Sequence, residues 1–212
     1  TEHLAFVERA FGLKSFADRN DVPAWARDLS LIVMLHGMHW TGRVFLDYAA
    51  MLEVLRFVAA RIEPRRVLAY LPGWEGRYYW QYGEYRAEPL LGGDAGFAKL
   101  CDGARELGIR VMPMFGANCV NAWLPRFRDF DPSARLKSAT GNRFHGNTPD
   151  WDLSRAHDTG WQAWLNPGHP GWRDELAGQI EPLATRFGFD AVLLDTTEIW
   201  VNDPDYSVFD GY

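Results

Sequence analysis

Four short apolar segments, separated by segments of helical periodicity, constrain the fold of this chain more than any other feature. The apolar segments cover residues 29–36, 67–71, 109–115 and 189–195. The first is a nearly continuous apolar run, which is typical of a strand buried on both faces of a parallel sheet. Apolar residues at helical spacing occupy the intervening segments 45–60, 95–107 and 172–187. This alternation predicts parallel strands joined by right-handed crossovers, as in an α/β barrel or a doubly wound sheet.

The length of the chain favours part of a barrel. A closed barrel typically takes ~250 residues, whereas this chain has 212 and ends soon after its fourth apolar segment. We therefore predict an α/β fold of the (β/α)8 TIM-barrel type with about four βα units. In this interpretation residues 1–212 form the amino-terminal half of a catalytic barrel domain, with a long loop insertion at about 117–170. The rest of the parent chain is expected beyond Tyr212.

Composition narrows the class of partner. The net charge is −6, and nucleic-acid binding usually leaves a basic footprint, so we expect no nucleic-acid partner. No apolar run is long enough to predict a membrane span. The chain has 10 Trp, 8 Tyr and 13 Phe, an aromatic content that favours a cleft for flat, partly apolar ligands such as sugar rings. Cys101 and Cys119 fit no zinc motif and are expected to be free thiols.

Polar and aromatic side chains follow each predicted strand. Active sites of parallel α/β folds collect at the carboxyl ends of the strands, so these residues are the candidate substrate-binding set. The set comprises His36, His39, Trp40, Trp74, Glu75, Asn118, Arg143 and Trp200. Trp80 and His145 are further candidates. The opposite ends of the strands carry mostly Arg, Glu and Gly.

Asp195 directly follows the apolar residues 191–194, which predicts a carboxylate at the mouth of the sheet. Cleavage of a glycosidic bond requires two carboxyl groups, and Glu198 is the second carboxylate nearest in sequence. The alternative structural role for Asp195 is to cap a following helix. The aromatic loops favour the catalytic role.

Two segments support a resemblance to a known group of enzymes. They are Trp-Leu-Asn-Pro-Gly-His-Pro-Gly-Trp-Arg-Asp-Glu at 164–175 and Gly-Phe-Asp-Ala-Val-Leu-Leu-Asp-Thr-Thr-Glu at 188–198. Together with the helix between them they resemble the central part of clan D glycoside hydrolases, with glycoside hydrolase family 31 the nearest pattern. The resemblance implies that Asp195 is the nucleophile of a retaining reaction, with Glu198 beside it. It also implies a general acid on a later strand, beyond Tyr212.

The sequence thus predicts a glycosidase that hydrolyses O-glycosidic bonds of an oligosaccharide or glycoside, without a cofactor or a metal. Two alternatives remain open. Metal-dependent barrel hydrolases also place His ligands at the end of the first strand, where this chain has His36 and His39, and Asp195 would then be a further ligand. A catalytically inactive barrel that only binds carbohydrate is the other.

Overall fold

The computed structural model describes residues 2–15, 18–77, 79–127, 134 and 162–196. Within these residues the chain alternates between helices and strands, as the sequence predicts. In chain order the elements are α1 (Glu2–Ala10), α2 (Ala24–Arg27), β1 (Leu31–Met34), α3 (Tyr48–Ala59), β2 (Val67–Leu71), α4 (Gly93–Leu107), β3 (Arg110–Gly116), β4 (Cys119–Asn121), β5 (Gln162–Trp164), α5 (Pro170–Phe187) and β6 (Leu193–Asp195).

Four of the strands form one parallel sheet. Its spatial order is β1-β2-β3-β6, so each strand lies beside the next one of the βα series. The register pairs Met34 with Tyr70, and Gly116 with Asp195. The four predicted strands and their parallel arrangement are therefore confirmed, and all four carboxyl ends meet at one edge of the sheet. The fold is a curled, four-stranded half-barrel.

Local signals explain where the helices begin and end. Asp47 caps α3 by accepting a hydrogen bond from the Ala50 amide. Gly108 and Gly188 end α4 and α5 in the left-handed conformation that glycine adopts without strain. In sequence, Asp94 precedes the apolar spacing of 95–107 and is a candidate cap for this helix, but α4 begins one residue earlier, at Gly93. Asp94 forms an ion pair with Arg186 instead.

The first helix is shorter than predicted. Apolar spacing predicts a helix over 2–19, whereas α1 ends at Ala10. Gly12 has a positive φ of 62°, and the Leu13 amide donates to the Glu8 carbonyl oxygen at 2.8 Å. This is the hydrogen bond of a Schellman cap, which turns the chain out of the helix.

The prediction that the first strand is buried on both faces is also wrong. Leu31 and Val33 pack against the core, but Ile32 and Met34 are 58% and 62% exposed. The two pairs alternate because successive side chains of a strand point to opposite faces. Helices α3 and α4 contact each other. Their buried residues belong to the same apolar cluster that Leu31 and Val33 pack against.

Much of the aromatic content lies in the core rather than in a cleft. Trp74 is fully buried and stacks on Phe97 of α4 with ring centroids 4.7 Å apart. Phe97 in turn contacts Phe187 of α5 at 4.9 Å. Each such side chain contributes ~1.5–3 kcal/mol through burial, so this aromatic stack holds two helices against the sheet.

The predicted insertion at 117–170 begins and ends in regular structure. β4 and β5 pair antiparallel, and Trp172 of α5 donates from its indole N–H to the Ala117 carbonyl oxygen at 2.6 Å. Trp172 is fully buried in a second, smaller apolar cluster with Val120 and Phe127. The two ends of the insertion are thereby fixed beside the carboxyl end of β3.

Both cysteines are buried, free thiols, which confirms the prediction for Cys101 and Cys119. No helix in the described part of the chain is both long and apolar enough to span a membrane.

Candidate active site

The site is built at the carboxyl edge of the sheet, where the loops after β1 and β2 are joined by backbone hydrogen bonds. The Gly37 amide donates to the Pro72 carbonyl oxygen, and the Met38 amide to that of Gly73, both at 2.9 Å. A Cβ atom on Gly37 would lie 2.4 Å from the Gly73 oxygen, so only glycine permits this approach. The two loops therefore form one surface.

Asp195 lies at this edge, at the end of β6, and is partly buried. The Tyr82 hydroxyl donates a hydrogen bond to its Oδ2 atom at 3.1 Å. The backbone oxygen of Asp195 accepts from the Ala117 amide at 2.9 Å. One carboxylate oxygen is thus held by a phenol from the loop after β2, while the backbone is fixed to β3.

A glycine allows Tyr82 to reach Asp195. Gly116 ends β3 directly beside Asp195 in the register, and a Cβ atom there would lie 2.2 Å from Cδ2 of Tyr82. The tyrosine ring therefore rests on the backbone of β3. Tyr85 binds the same backbone, since its hydroxyl accepts from the Gly116 amide at 2.7 Å.

The residue after Asp195 has an unusual backbone. Thr196 has a φ of 67°, a left-handed conformation that is costly for a β-branched residue. Its hydroxyl donates to the Asp195 carbonyl oxygen at 2.6 Å. Local strain of this kind often clusters at functional sites, and here it immediately follows the candidate carboxylate.

Glu75 is a buried carboxyl group near Asp195. It is fully buried, and among the described residues no side chain donates to either carboxyl oxygen. Burial, opposed by its own backbone amide and reinforced by the negative charge of Asp195, raises the pKa of Glu75 to about 8. Glu75 therefore carries a proton at neutral pH. Because Glu75 is enclosed, its carboxyl oxygens do not reach solvent.

Asn118 is a second buried polar group at the end of β3. Its backbone oxygen accepts from the Leu165 amide at 2.7 Å. Neither polar atom of its side chain has a hydrogen-bond partner among the described residues. Asn118 is 1% exposed, so its role in substrate binding stays a prediction from the sequence.

His36 and His39 lie together after β1, with ring centroids 6.3 Å apart. His36 is half-buried, and burial lowers its pKa, so it is neutral at pH 7 and can exchange hydrogen bonds with hydroxyls. Its Nε2 atom lies 3.3 Å from the Met38 carbonyl oxygen. In the residues that the structure describes, no three His, Cys, Asp or Glu side chains gather as a metal-binding group.

The tryptophans divide between core and surface. Trp74 offers no ring face to a sugar, because it is enclosed in the aromatic stack described above, and we remove it from the substrate-binding set. Trp40 and Trp80 are partly exposed. Trp123, 55% exposed, was missed by the sequence reasoning. It follows β4, inside a segment predicted as a loop without regular structure, so nothing local indicated that it faces solvent.

Four of the predicted residues cannot be compared with the structure. Glu198, Trp200, Arg143 and His145 lie outside the described residues. Of the remaining candidates, Glu75 and Asp195 lie close enough for the charge of Asp195 to raise the pKa of Glu75. His36, His39 and Trp40 lie on the loop that is joined to the one carrying Glu75.

The fold is a four-stranded parallel half-barrel of the kind found in (β/α)-barrel glycosidases. No family model and no curated protein matches the sequence. Solved structures do match. An α-N-acetylgalactosaminidase from Bifidobacterium bifidum has a TM-score of 0.69 and 18% identity, with 91% of this chain and 33% of that one covered.

Two further glycosidases share the fold. An α-amylase from Geobacillus thermoleovorans matches at a TM-score of 0.58 and 16% identity, over 83% of this chain and 41% of that one. The family 36 α-galactosidase AgaA from Geobacillus stearothermophilus matches at a TM-score of 0.52 and 17% identity, over 78% of this chain and 21% of that one. The chain thus spans about a third of the first structure it matches. The glycosidase-type fold is confirmed, but family 31 as the nearest pattern is not supported.

Proposed function

We propose that this chain carries the nucleophile of a retaining glycoside hydrolase that acts on α-glycosides, with Asp195 as that nucleophile. The observation that carries the proposal is the position of Asp195: it ends the fourth parallel strand of a glycosidase-type half-barrel, partly buried, with Oδ2 held by Tyr82. The α configuration is suggested by the names of the matched structures, which are α-N-acetylgalactosaminidase, α-amylase and α-galactosidase.

In this proposal the Asp195 carboxylate attacks the anomeric carbon while the bond to the leaving-group oxygen breaks. A carboxylic acid gives its proton to that oxygen, and water then hydrolyses the glycosyl ester, so that the configuration is retained. Tyr82 binds Oδ2, which leaves Oδ1 as the attacking atom. Because this chain covers 33% of the matched α-N-acetylgalactosaminidase, we propose that the acid comes from the rest of the catalytic domain, beyond Tyr212.

The neutral carboxyl of Glu75 suits this chemistry. A second carboxylate beside Asp195 would repel its charge, whereas the raised pKa keeps Glu75 protonated at pH 7. We assign Glu75 a positioning role beneath the site rather than contact with substrate. Glu198 is proposed to orient the nucleophile from the following loop. His36, His39 and Trp40 are proposed to contact sugar hydroxyls or ring faces, and Asn118, Arg143 and Trp200 remain proposals from the sequence.

The experiment is azide rescue in the full-length protein. Wild type and Asp195→Ala are assayed on p-nitrophenyl α-glycosides of galactose, N-acetylgalactosamine and glucose. We expect Asp195→Ala to lower kcat by more than about a thousandfold, or ~4 kcal/mol in activation free energy. Azide should then restore release of nitrophenol and give the β-glycosyl azide, identified by NMR, because azide takes the place of the missing carboxylate.

Asp102→Asn is the matched control, since Asp102 is an exposed carboxylate on α4 that pairs with Arg105. It should keep wild-type kinetics. A loss under about tenfold (~1.4 kcal/mol) in Asp195→Ala would refute the proposal. Loss of activity in wild type after exhaustive treatment with EDTA would instead favour the metal-dependent alternative, and glycan binding without any hydrolysis would favour the non-catalytic one.

A further inference from the structure

A group of aromatic and cationic side chains continues along the rim of the site, away from Asp195. We call Trp40, Arg77, Trp80 and Trp123 the rim cluster. They come from three loops, which follow β1, β2 and β4. Their side chains do not belong to either apolar cluster formed by the described residues.

The members of the rim cluster hold one another in place. Arg77 donates from Nε to the Trp40 carbonyl oxygen at 2.8 Å, and its guanidinium lies 4.4 Å from the centre of the Trp80 ring. The rings of Trp80 and Trp123 form a T-shaped pair, with centroids 5.9 Å apart and an angle of 87° between the planes. Such a T-shaped contact and a cation–π contact fix ring orientations at the surface.

Asn121 connects the rim cluster to Tyr82, the residue that binds Asp195. It is buried, and its side chain donates to the Trp80 carbonyl oxygen and accepts from the Trp123 amide, both at 2.9 Å. Its own amide donates to the Tyr82 carbonyl oxygen at 2.8 Å. Tyr82 in turn binds Asp195. One residue separates Tyr82 from Trp80 in sequence, so their Cα atoms are at most ~7 Å apart.

An ordered indole that is 55% exposed, as Trp123 is, presents an apolar face to solvent. Apolar faces of sugar rings fit such a surface, and the hydroxyls around a sugar ring can accept hydrogen bonds from a guanidinium. Arg77 supplies those donors beside the rings. The rim cluster therefore has the two components of a sugar-binding subsite, adjacent to but distinct from the carboxylate.

We propose that the rim cluster binds a second sugar unit, linked to the one whose bond is cleaved, with Trp123 as its stacking surface. The substrate class is then an oligosaccharide or glycan chain rather than a simple glycoside. This inference rests on the proposed function, because it takes the carboxyl edge of the sheet as the catalytic centre.

The test compares two substrates of the same terminal sugar in the full-length protein. One is an α-linked tetrasaccharide, and the other is the α-glycosyl fluoride, which has no second ring to stack. We expect Trp123→Ala to lower kcat/KM for the tetrasaccharide by about tenfold and to change that for the fluoride less than twofold. The matched control is Trp25→Ala, since Trp25 contacts Arg110 at the opposite end of the sheet. It should change neither.

An equal loss on both substrates, or none on the tetrasaccharide, would overturn the proposal. If wild type hydrolyses neither substrate, the proposed function fails and the subsite is judged by binding alone. Calorimetric titration with the same tetrasaccharide should then show about tenfold weaker binding in Trp123→Ala than in wild type and Trp25→Ala. Equal affinities, or no binding to wild type, would reject the subsite as well.

Discussion

The Tyr82 hydroxyl donates a hydrogen bond to the Asp195 carboxylate at 3.1 Å across 113 residues of sequence. This contact joins the loop after β2 to the end of β6 and makes Asp195 a fixed rather than a freely rotating side chain. Its surroundings include the missing side chain of Gly116 under the Tyr82 ring, the Tyr85 hydroxyl on the Gly116 backbone, and the buried carboxyl of Glu75. Each gives a separate prediction.

Replacing Tyr82 by Phe removes the donor to Asp195 and keeps the ring. A hydrogen bond to a charged group contributes about 1.5–3 kcal/mol, so we expect kcat on the p-nitrophenyl substrate to fall roughly tenfold to a hundredfold, with KM nearly unchanged. Tyr85→Phe is the matched variant, because the Tyr85 hydroxyl binds the Gly116 backbone instead. Tyr85→Phe should lower Tm and leave kcat close to the wild-type value. The reverse pattern would contradict the orienting role of Tyr82.

Replacing Gly116 by Ala places a Cβ atom 2.2 Å from the ring of Tyr82. The ring must move, and the hydrogen bond to Asp195 is then lost. We expect lower Tm, by the equivalent of about 1–3 kcal/mol of overpacking, together with lower kcat. Both are measured by thermal melts and steady-state kinetics.

Gly178→Ala is the control for that substitution. Gly178 lies exposed on α5 with nothing within 4 Å of a built Cβ, so alanine should stabilise the helix by about 0.5–1 kcal/mol. Activity should stay at the wild-type level. A Gly116→Ala protein as stable and as active as Gly178→Ala would show that Tyr82 does not depend on the bare backbone of β3.

Glu75 predicts a pH dependence of stability. Its pKa is about 8 in the folded protein and about 4.3 in an unfolded chain. Between these values the folded state keeps a proton that the unfolded state releases. The contribution of Glu75 to the free energy of unfolding is therefore full below pH ~4.3. It is lost as the pH rises toward 8, by at most ~1.4 kcal/mol per pH unit.

Glu75→Gln tests this, because the amide stays neutral over the whole range. We expect the difference in unfolding free energy between the variant and wild type, from urea melts at pH 5, 6, 7 and 8, to move in favour of the variant as pH rises. A difference that is constant with pH would mean that Glu75 is ionised in the folded protein at pH 7.

The thiols should be inert while the protein is folded. Burial raises the pKa of Cys101 to about 12 and places that of Cys119 well above its usual range. Both side chains are inaccessible as well, and the thiolate is the reactive form. Mass spectrometry should therefore find no iodoacetamide adduct at pH 7.5 in native protein and two per chain in 6 M guanidinium. Rapid labelling of the native protein would contradict the burial of these residues.

The sequence determined the parts of this protein that depend on local pattern. Apolar runs followed by polar residues located the four parallel strands, and Gly108 and Gly188 marked helix ends because glycine alone takes the left-handed turn without strain. The position of Asp195 at a strand end followed from the same pattern. These features depend on neighbours in sequence, so a single sequence suffices to predict them.

Only the tertiary structure decided which of these residues meet and which are buried. Trp74 follows β2 and Trp123 follows β4, yet the first is enclosed by Phe97 and the second is exposed. The pairing of Tyr82 with Asp195 spans 113 residues, and the raised pKa of Glu75 arises from burial. Burial and long-range contacts are properties of packing among distant segments, which no local pattern of residues specifies.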